Sequence, residues 1–270
     1  MRQWRLIYDC PTSGARNMAV DDAILTVGRH LPTLRLYAWQ PPCLSLGYGQ
    51  RAADVDFARL AAANWDIVRR PTGGRAILHT DELTYSLILP PDDPVAAGDI
   101  AESYRRISGA LTAALLRLGV TPDAAPHASG GPAGAGPVCF ETPGQYEITV
   151  GGRKLVGSAQ ARRRDGVLQH GSLPLHGDLA RICDVLAYPD AAARDQARAQ
   201  VLARAVTLAE ALGVAHVPWD AAAAALAAGF AETFAVDFGG EPGQLTAAER
   251  DTADRLAADV YGAPAWIHRR

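Results

Sequence analysis

Ile67-Val68-Arg69-Arg70-Pro71-Thr72-Gly73-Gly74-Arg75-Ala76-Ile77-Leu78-His79 is the stretch on which the fold turns. Two β-like runs, Ile67 to Arg70 and Ala76 to His79, flank a turn that carries adjacent glycines. Glycine lets backbone N–H groups approach a ligand closely. The segment therefore reads either as a pocket wall or as a tight turn with solvated arginines. It is no P-loop, because the lysine-bearing glycine spacing is missing and no helix follows it.

Outward from this turn, Arg5 to Tyr8, Thr33 to Trp39, Cys43 to Tyr48 and Leu83 to Leu89 have strand character, while Asn17 to Val27, Ala53 to Asn64 and Ile100 to Leu118 repeat apolar residues at helical spacing. Strands alternating with helices predict an α/β domain. A second β block follows: Tyr146 to Val150, Lys154 to Ala161 and Val167 to Leu173 are separated by Gly151-Gly152 and Asp165-Gly166, turns that favour antiparallel hairpins. From Asp178 onward the stretches Ala191 to Leu212, Trp219 to Phe234 and Leu245 to Tyr261 predict helices. The expected division is a catalytic domain over residues 1–215 and a helical C-terminal region over 216–270 packed on it.

The 270 residues suffice for a real core, and 49% hydrophobic with 20% charged residues is ordinary globular composition. A net charge of -3 argues against a nucleic-acid partner. No apolar run approaches the roughly 18 residues of a membrane span, and the start has no signal-peptide pattern. A cytoplasmic protein without membrane association is expected. Cys10, Cys43, Cys139 and Cys183 are scattered, so reduced thiols are expected, with Cys10, Cys43 and Cys183 in apolar runs that suit core packing. No His/Cys cluster has zinc-ligand spacing, and neither a metal nor a cofactor is predicted.

Between the two β blocks, Thr121 to Val138 is rich in Gly, Pro and Ala and leads directly into Cys139. Long loops of this kind are often functional. A loop cysteine alone is more often a small residue without chemistry, and a strand lysine such as Lys154 is more often solvated.

Arg70-Pro71-Thr72-Gly73-Gly74-Arg75-Ala76, Glu82-Leu83-Thr84-Tyr85-Ser86, Pro137-Val138-Cys139-Phe140-Glu141, Arg153-Lys154-Leu155-Val156-Gly157-Ser158-Ala159-Gln160 and Gln169-His170-Gly171-Ser172 together resemble the lipoyl and biotin protein ligase superfamily. Arg75 stands where the ATP-using lipoate ligases carry a third glycine, so the likeness is to the LipM-type octanoyltransferases. Asn17-Met18-Ala19-Val20-Asp21 and Leu46-Gly47-Tyr48-Gly49-Gln50 resemble the same family, and with Tyr261 to Trp266 the likeness spans nearly the whole chain.

The resemblance implies an α/β fold with a mixed sheet of the lipoyl/biotin protein ligase type, an antiparallel hairpin block and a small helical C-terminal region. It implies an ATP-independent acyltransferase that moves octanoyl from octanoyl-acyl carrier protein to a lysine of the glycine cleavage H protein or another lipoyl domain. Cys139 is implied as the acyl-thioester nucleophile and Lys154 as the group that lowers its pKa. Arg70, Thr72, Gly73, Gly74, Arg75, His79, Gly157, Ser158, Ala159, Gln160, His170 and Gly171 are implied as substrate-binding residues, although His79 reads equally as a core histidine. An ATP-dependent lipoate or octanoate ligase, an amidotransferase between lipoyl proteins and a noncatalytic acyl binder are the alternatives. Arg162-Arg163-Arg164 reads as a solvated turn tip or as a surface for acidic carriers.

Overall fold

The computed structural model describes residues 1–27, 31–123 and 148–270. In chain order the elements are β1 (Arg2–Gln3), β2 (Arg5–Tyr8), α1 (Gly14–Thr26), β3 (Thr33–Tyr37), β4 (Cys43–Leu46), α2 (Phe57–Ala62), β5 (Asp66–Arg69), β6 (Ile77–His79), β7 (Glu82–Leu89) and α3 (Ile100–Arg117). There follow β8 (Ile148–Val150), β9 (Arg153–Arg163), β10 (Gly166–Pro174), α4 (Ala191–Arg204), α5 (Leu208–Leu212), α6 (Trp219–Phe234), β11 (Val236–Asp237), α7 (Ala247–Leu256) and α8 (Pro264–Ile267). The fold is the expected α/β class with a mixed sheet and a helical C-terminal region.

Six strands in the order β2-β3-β7-β10-β9-β8 form the main sheet, and β5-β4-β6 form a smaller one. The β2–β3 pair is parallel, whereas β3–β7, β7–β10, β10–β9 and β9–β8 are antiparallel. Gly151 and Gly152 adopt φ of 58° and 73° in the β8–β9 turn, a conformation that strains other residues. Asp123 fixes that turn by accepting from both of their backbone N–H groups at 2.9 Å.

The two faces of the main sheet differ in chemistry. Leu34 and Leu36 of β3 and Leu83, Tyr85, Leu87 and Leu89 of β7 share one core cluster with Ile107, Leu111 and Leu115 of α3 and with Leu226 and Phe230 of α6. Each such side chain contributes on the order of 1.5–3 kcal/mol by leaving water. Alternation sends Arg35, Tyr37, Glu82, Thr84 and Ser86 to the opposite face, where register sets Ser86 beside Arg35 and His170, and Thr84 beside Tyr37 and Ser172. This polar stripe is buried under α1 and the small sheet, and it forms the base of the site.

Three expected helices are interrupted. In Ala53 to Asn64, a short turn over Ala52–Asp54 ends at extended Val55, which bridges to Leu186, and α2 starts only after Asp56 caps it by accepting from Arg59 N at 3.0 Å. Ala191 to Leu212 breaks at extended Ala205, where the chain joins β9 through Val206 N to Lys154 O at 3.0 Å, and Thr207 then caps α5. Leu245 to Tyr261 begins later, at Ala247, behind a Thr246–Glu249 capping box, and widens into a π turn over Ala257–Tyr261. In each case a side-chain cap or a strand-like contact outcompetes helix propensity. Cys43 and Cys183 are buried as expected, but Cys10 is exposed just past β2.

Candidate active site

A cavity open to solvent lies between the polar face of the main sheet, α1 and the small sheet. Met18, Trp39 and Ile77 give it apolar wall, and Gly74, Gly157 and Gly171 let backbone form the rest. Its lining joins apolar wall to a few convergent polar groups, the mixture typical of a small-molecule site.

The turn after β5 is held by its own arginine. Arg70 donates to Gly73 O at 2.9 Å and Arg75 O at 2.7 Å, and also to Ser45 O and Oγ at 3.0 and 3.1 Å. The guanidinium thereby fixes the shape of the glycine turn. Gly47 is packed so closely beneath it that a Cβ there would lie 1.8 Å from Gly74 O.

Two hydrogen-bond chains line the cavity. In the first, Ser45 Oγ lies 2.7 Å from His79 Nε2, and His79 Nδ1 lies 2.7 Å from Glu82 Oε1. Glu82 also accepts from Thr84 Oγ1 at 2.5 Å and from Ser172 Oγ, and the His79 ring stacks on Trp39 at 4.0 Å. Burial opposes the charge on Glu82, but His79, Ser172 and Thr84 more than offset it and hold the carboxyl below its ordinary range. An ionised Glu82 can only accept, so His79 presents Nδ1–H to it.

The second chain runs from Thr72 Oγ1 to His170 Nε2 at 2.6 Å, then from His170 Nδ1 to Asp21 Oδ2 at 3.5 Å. Asp21 is fully buried and takes hydrogen bonds from Arg35 Nη1 at 2.8 Å, Ser86 Oγ at 2.8 Å and Tyr37 OH at 3.0 Å. Burial works against its charge, yet Arg35, His170 and Ser86 keep its pKa lowered. Burial depresses the His170 pKa, although Asp21 pulls the other way.

Of the residues singled out in the sequence, Arg70, Gly74, His79, Gly157, Ser158, Ala159, His170 and Gly171 line the cavity. Thr72 joins it through His170, whereas Gly73 and Arg75 serve the turn through their carbonyls. Gln160 turns to the opposite face of β9 and bonds Ser103 and Gln169. Cys139 lies outside the described residues.

Lys154 is 2% exposed. Ile148 pairs with Val156 and Thr149 with Lys154, so Leu155 is an extra residue in β9. Leu155 and Val156 are consequently buried in the same core cluster. A bulge of this kind resets the alternation of the strand. It turns Lys154 away from Val156, toward the side that carries Gly157 and Ala159.

Asp21, Arg35, Tyr37, Trp39, Ser45, Glu82, Thr84 and Ser172 were not singled out as site residues from sequence. The available signal was the alternation Glu82-Leu83-Thr84-Tyr85-Ser86, a polar stripe within a β run. Among the described residues no cluster of His, Cys, Asp and Glu could hold a metal ion. No helix there is long and apolar enough to cross a membrane. Burial, with the charges of Asp66 and Glu82, pushes the Cys43 thiol well up, which leaves it unsuited to nucleophilic work.

The family model for the lipoyl protein ligase A/B catalytic domain matches residues 13–231. The chain belongs to this family. A protein named octanoyltransferase LipM from Kyrpidia tusciae is 45% identical over 278 residues, with both chains fully covered. Another of that name from Symbiobacterium thermophilum is 40% identical, covering 99% of this chain and 98% of its own. Among solved structures, a bipartite lipoate protein ligase from Thermoplasma acidophilum superposes with a TM-score of 0.83 at 26% identity, covering 99% of this chain and 97% of the other. The glycine turn and the β9–β10 hairpin that border the cavity lie within the residues that the family model matches.

Proposed function

We propose that this protein is an ATP-independent acyltransferase that moves an octanoyl group from octanoyl-acyl carrier protein, through a thioester on Cys139, to a lysine of the glycine cleavage H protein or another lipoyl domain. The observation that carries the reading is the full-length likeness to octanoyltransferases LipM. The largely apolar cavity and the burial of Lys154, three residues before Gly157 of its β9 wall, are consistent with it.

In the first step the Cys139 thiolate attacks the donor's thioester carbonyl. A new carbon–sulfur bond forms, the carrier's carbon–sulfur bond breaks, and the carrier thiolate leaves and takes up a proton. One thioester replaces another, so no nucleotide is consumed. In the second step the neutral acceptor amine attacks the Cys139 thioester, an amide forms, the amine sheds its proton and the Cys139 thiolate returns. Lys154 assists by favouring thiolate over thiol, each pKa unit being worth about 1.4 kcal/mol. Arg70 keeps the glycine turn open to the acyl carbonyl, and the His79–Glu82 and His170–Asp21 pairs fix the polar end of the cavity.

The structural likeness to lipoate protein ligases favours one other reading, activation of a free acid by ATP. Arg75, where those ligases carry glycine, and Cys139 speak for the transferase. Incubation with octanoyl-acyl carrier protein and an apo lipoyl domain, without nucleotide, decides between them. Acylation of the domain supports the proposal; acylation only with ATP and free octanoate makes the chain a ligase.

A further inference from the structure

We infer that an exposed cationic and aromatic patch built from Tyr48, Arg51, Phe57, His268, Arg269 and Arg270 is where the acidic carrier protein that delivers the acyl thioester docks. The inference rests on the transferase reading above. The arginine turn is the other cationic candidate. There, Arg162 donates to Gly98 O, Asp99 O and Ser103 Oγ at 2.7–2.8 Å, and Arg163 pairs with Asp22 at 2.5 Å, so both are committed within the chain.

The patch has the composition of an interface hot spot, in which aromatic rings and arginines predominate. Tyr48 and Phe57 are large side chains left 40% and 37% exposed. The Arg269 guanidinium lies 4.2 Å from the Tyr48 ring centroid and 4.4 Å from that of Trp266, and donates to Tyr48 OH at 2.8 Å. His268 packs on Phe57 at 4.9 Å. Arg270 O accepts from Ala52 N at 2.9 Å, which holds the tail against the segment after β4. Of the nearby carboxylates, Asp54 pairs with Arg51 at 3.0 Å and Asp56 with Arg59 at 3.1 Å; among the described residues Arg269 and Arg270 form no ion pair. The face is thus net positive and pre-ordered.

Its position selects the partner. Arg69 and Arg70 are neighbours that point to opposite sides of the chain. Arg69 donates to Gln50 O at 2.6 Å, Gly47 O at 2.8 Å and Ile267 O under the patch, while Arg70 lines the cavity. Tyr48 N donates to Thr72 O at 2.9 Å, so the patch backs directly onto the glycine turn. A ligand held there must reach around that turn to the cavity. A long flexible thioester arm spans such an offset, whereas a lysine on a folded acceptor domain must be presented at the cavity mouth itself. The donor is therefore assigned to the patch.

The test compares wild type with R269E/R270E, and with R269K/R270K as a charge-retaining control, in acylation of the enzyme by octanoyl-acyl carrier protein and by S-octanoyl-N-acetylcysteamine. The expected result is a fall on the order of tenfold or more in kcat/KM with the carrier-borne donor, shrinking at high salt, with the small thioester unaffected and the lysine variant near wild type. Equal losses with both donors would show a structural role, and no loss with either would show no role; each overturns the inference. Unchanged loading with slower transfer to the lipoyl domain would assign the patch to the acceptor and overturn it as well. A wild-type enzyme inert toward both donors would remove the transferase reading, and this inference with it.

Discussion

Asp21 on α1 and Arg35 on β3 meet at 2.8 Å with neither side chain exposed. Arg35 also donates to Asp9 Oδ2 at 2.9 Å and to Asn17 Oδ1 at 2.8 Å, so one guanidinium ties α1 to the main sheet behind the cavity. Removing one partner strands a buried charge. Arg35→Met should therefore destabilise the fold by about 3–5 kcal/mol, and the double variant Arg35→Met with Asp21→Asn by clearly less. Denaturant unfolding of the two variants checks the order; equal losses would contradict it.

Acid should weaken the protein in two stages. The folded His170 pKa is below its unfolded value of about 6.5. Beneath that value the unfolded chain binds a proton that the folded chain does not, and stability falls with pH. Asp21 and Glu82 have depressed folded values, so the stability they add is present above the unfolded carboxylate range near 4 and is lost as pH falls through the folded values. Melting temperature should decline from pH 7 to 5 and more steeply below 4, and His170→Gln should flatten the first stage. A first stage of unchanged slope in that variant would rule out His170 as its source.

A methyl group at Gly47 would collide with Gly74 O at 1.8 Å, and the turn is pinned by Arg70, whereas Gly49 has open space. Gly47→Ala should cost about 1–3 kcal/mol and impair acyl loading, with Gly49→Ala close to wild type. Thermal melts and loading rates on the pair provide the check, and similar behaviour of the two would refute the close packing as the cause.

Replacing Lys154 by Met keeps the length and removes the ammonium to which the proposed mechanism assigns the lowering of the Cys139 pKa. Loading at pH 7 should fall tenfold or more and recover in part at pH 9, where thiolate forms unaided. Wild-type loading by Lys154→Met at pH 7 would remove the lysine from the mechanism.

The strands around the glycine turn were legible in the sequence because period-two alternation and paired glycines are local signals. The breaks at Val55 and Ala205 were not, because each depends on a partner far along the chain, Leu186 in one case and Lys154 in the other. The same limit hid half of the cavity. Thr72 and His170 could be read as separate candidates, but their contact, and the roles of Asp21 behind His170 and of Ser45 beside His79, follow only from strand register and sheet packing. Gln160 shows the converse: it sits in the right motif on β9, and alternation carries its side chain to Ser103 on α3.

The most direct measurement is intact-protein mass spectrometry after mixing with octanoyl-acyl carrier protein and no ATP, comparing wild type with Cys139→Ala. The proposed mechanism predicts one octanoyl adduct on wild type, removed by hydroxylamine, and none on the variant. An adduct that persists in Cys139→Ala, or acylation of a lipoyl domain by that variant at the wild-type rate, would contradict it.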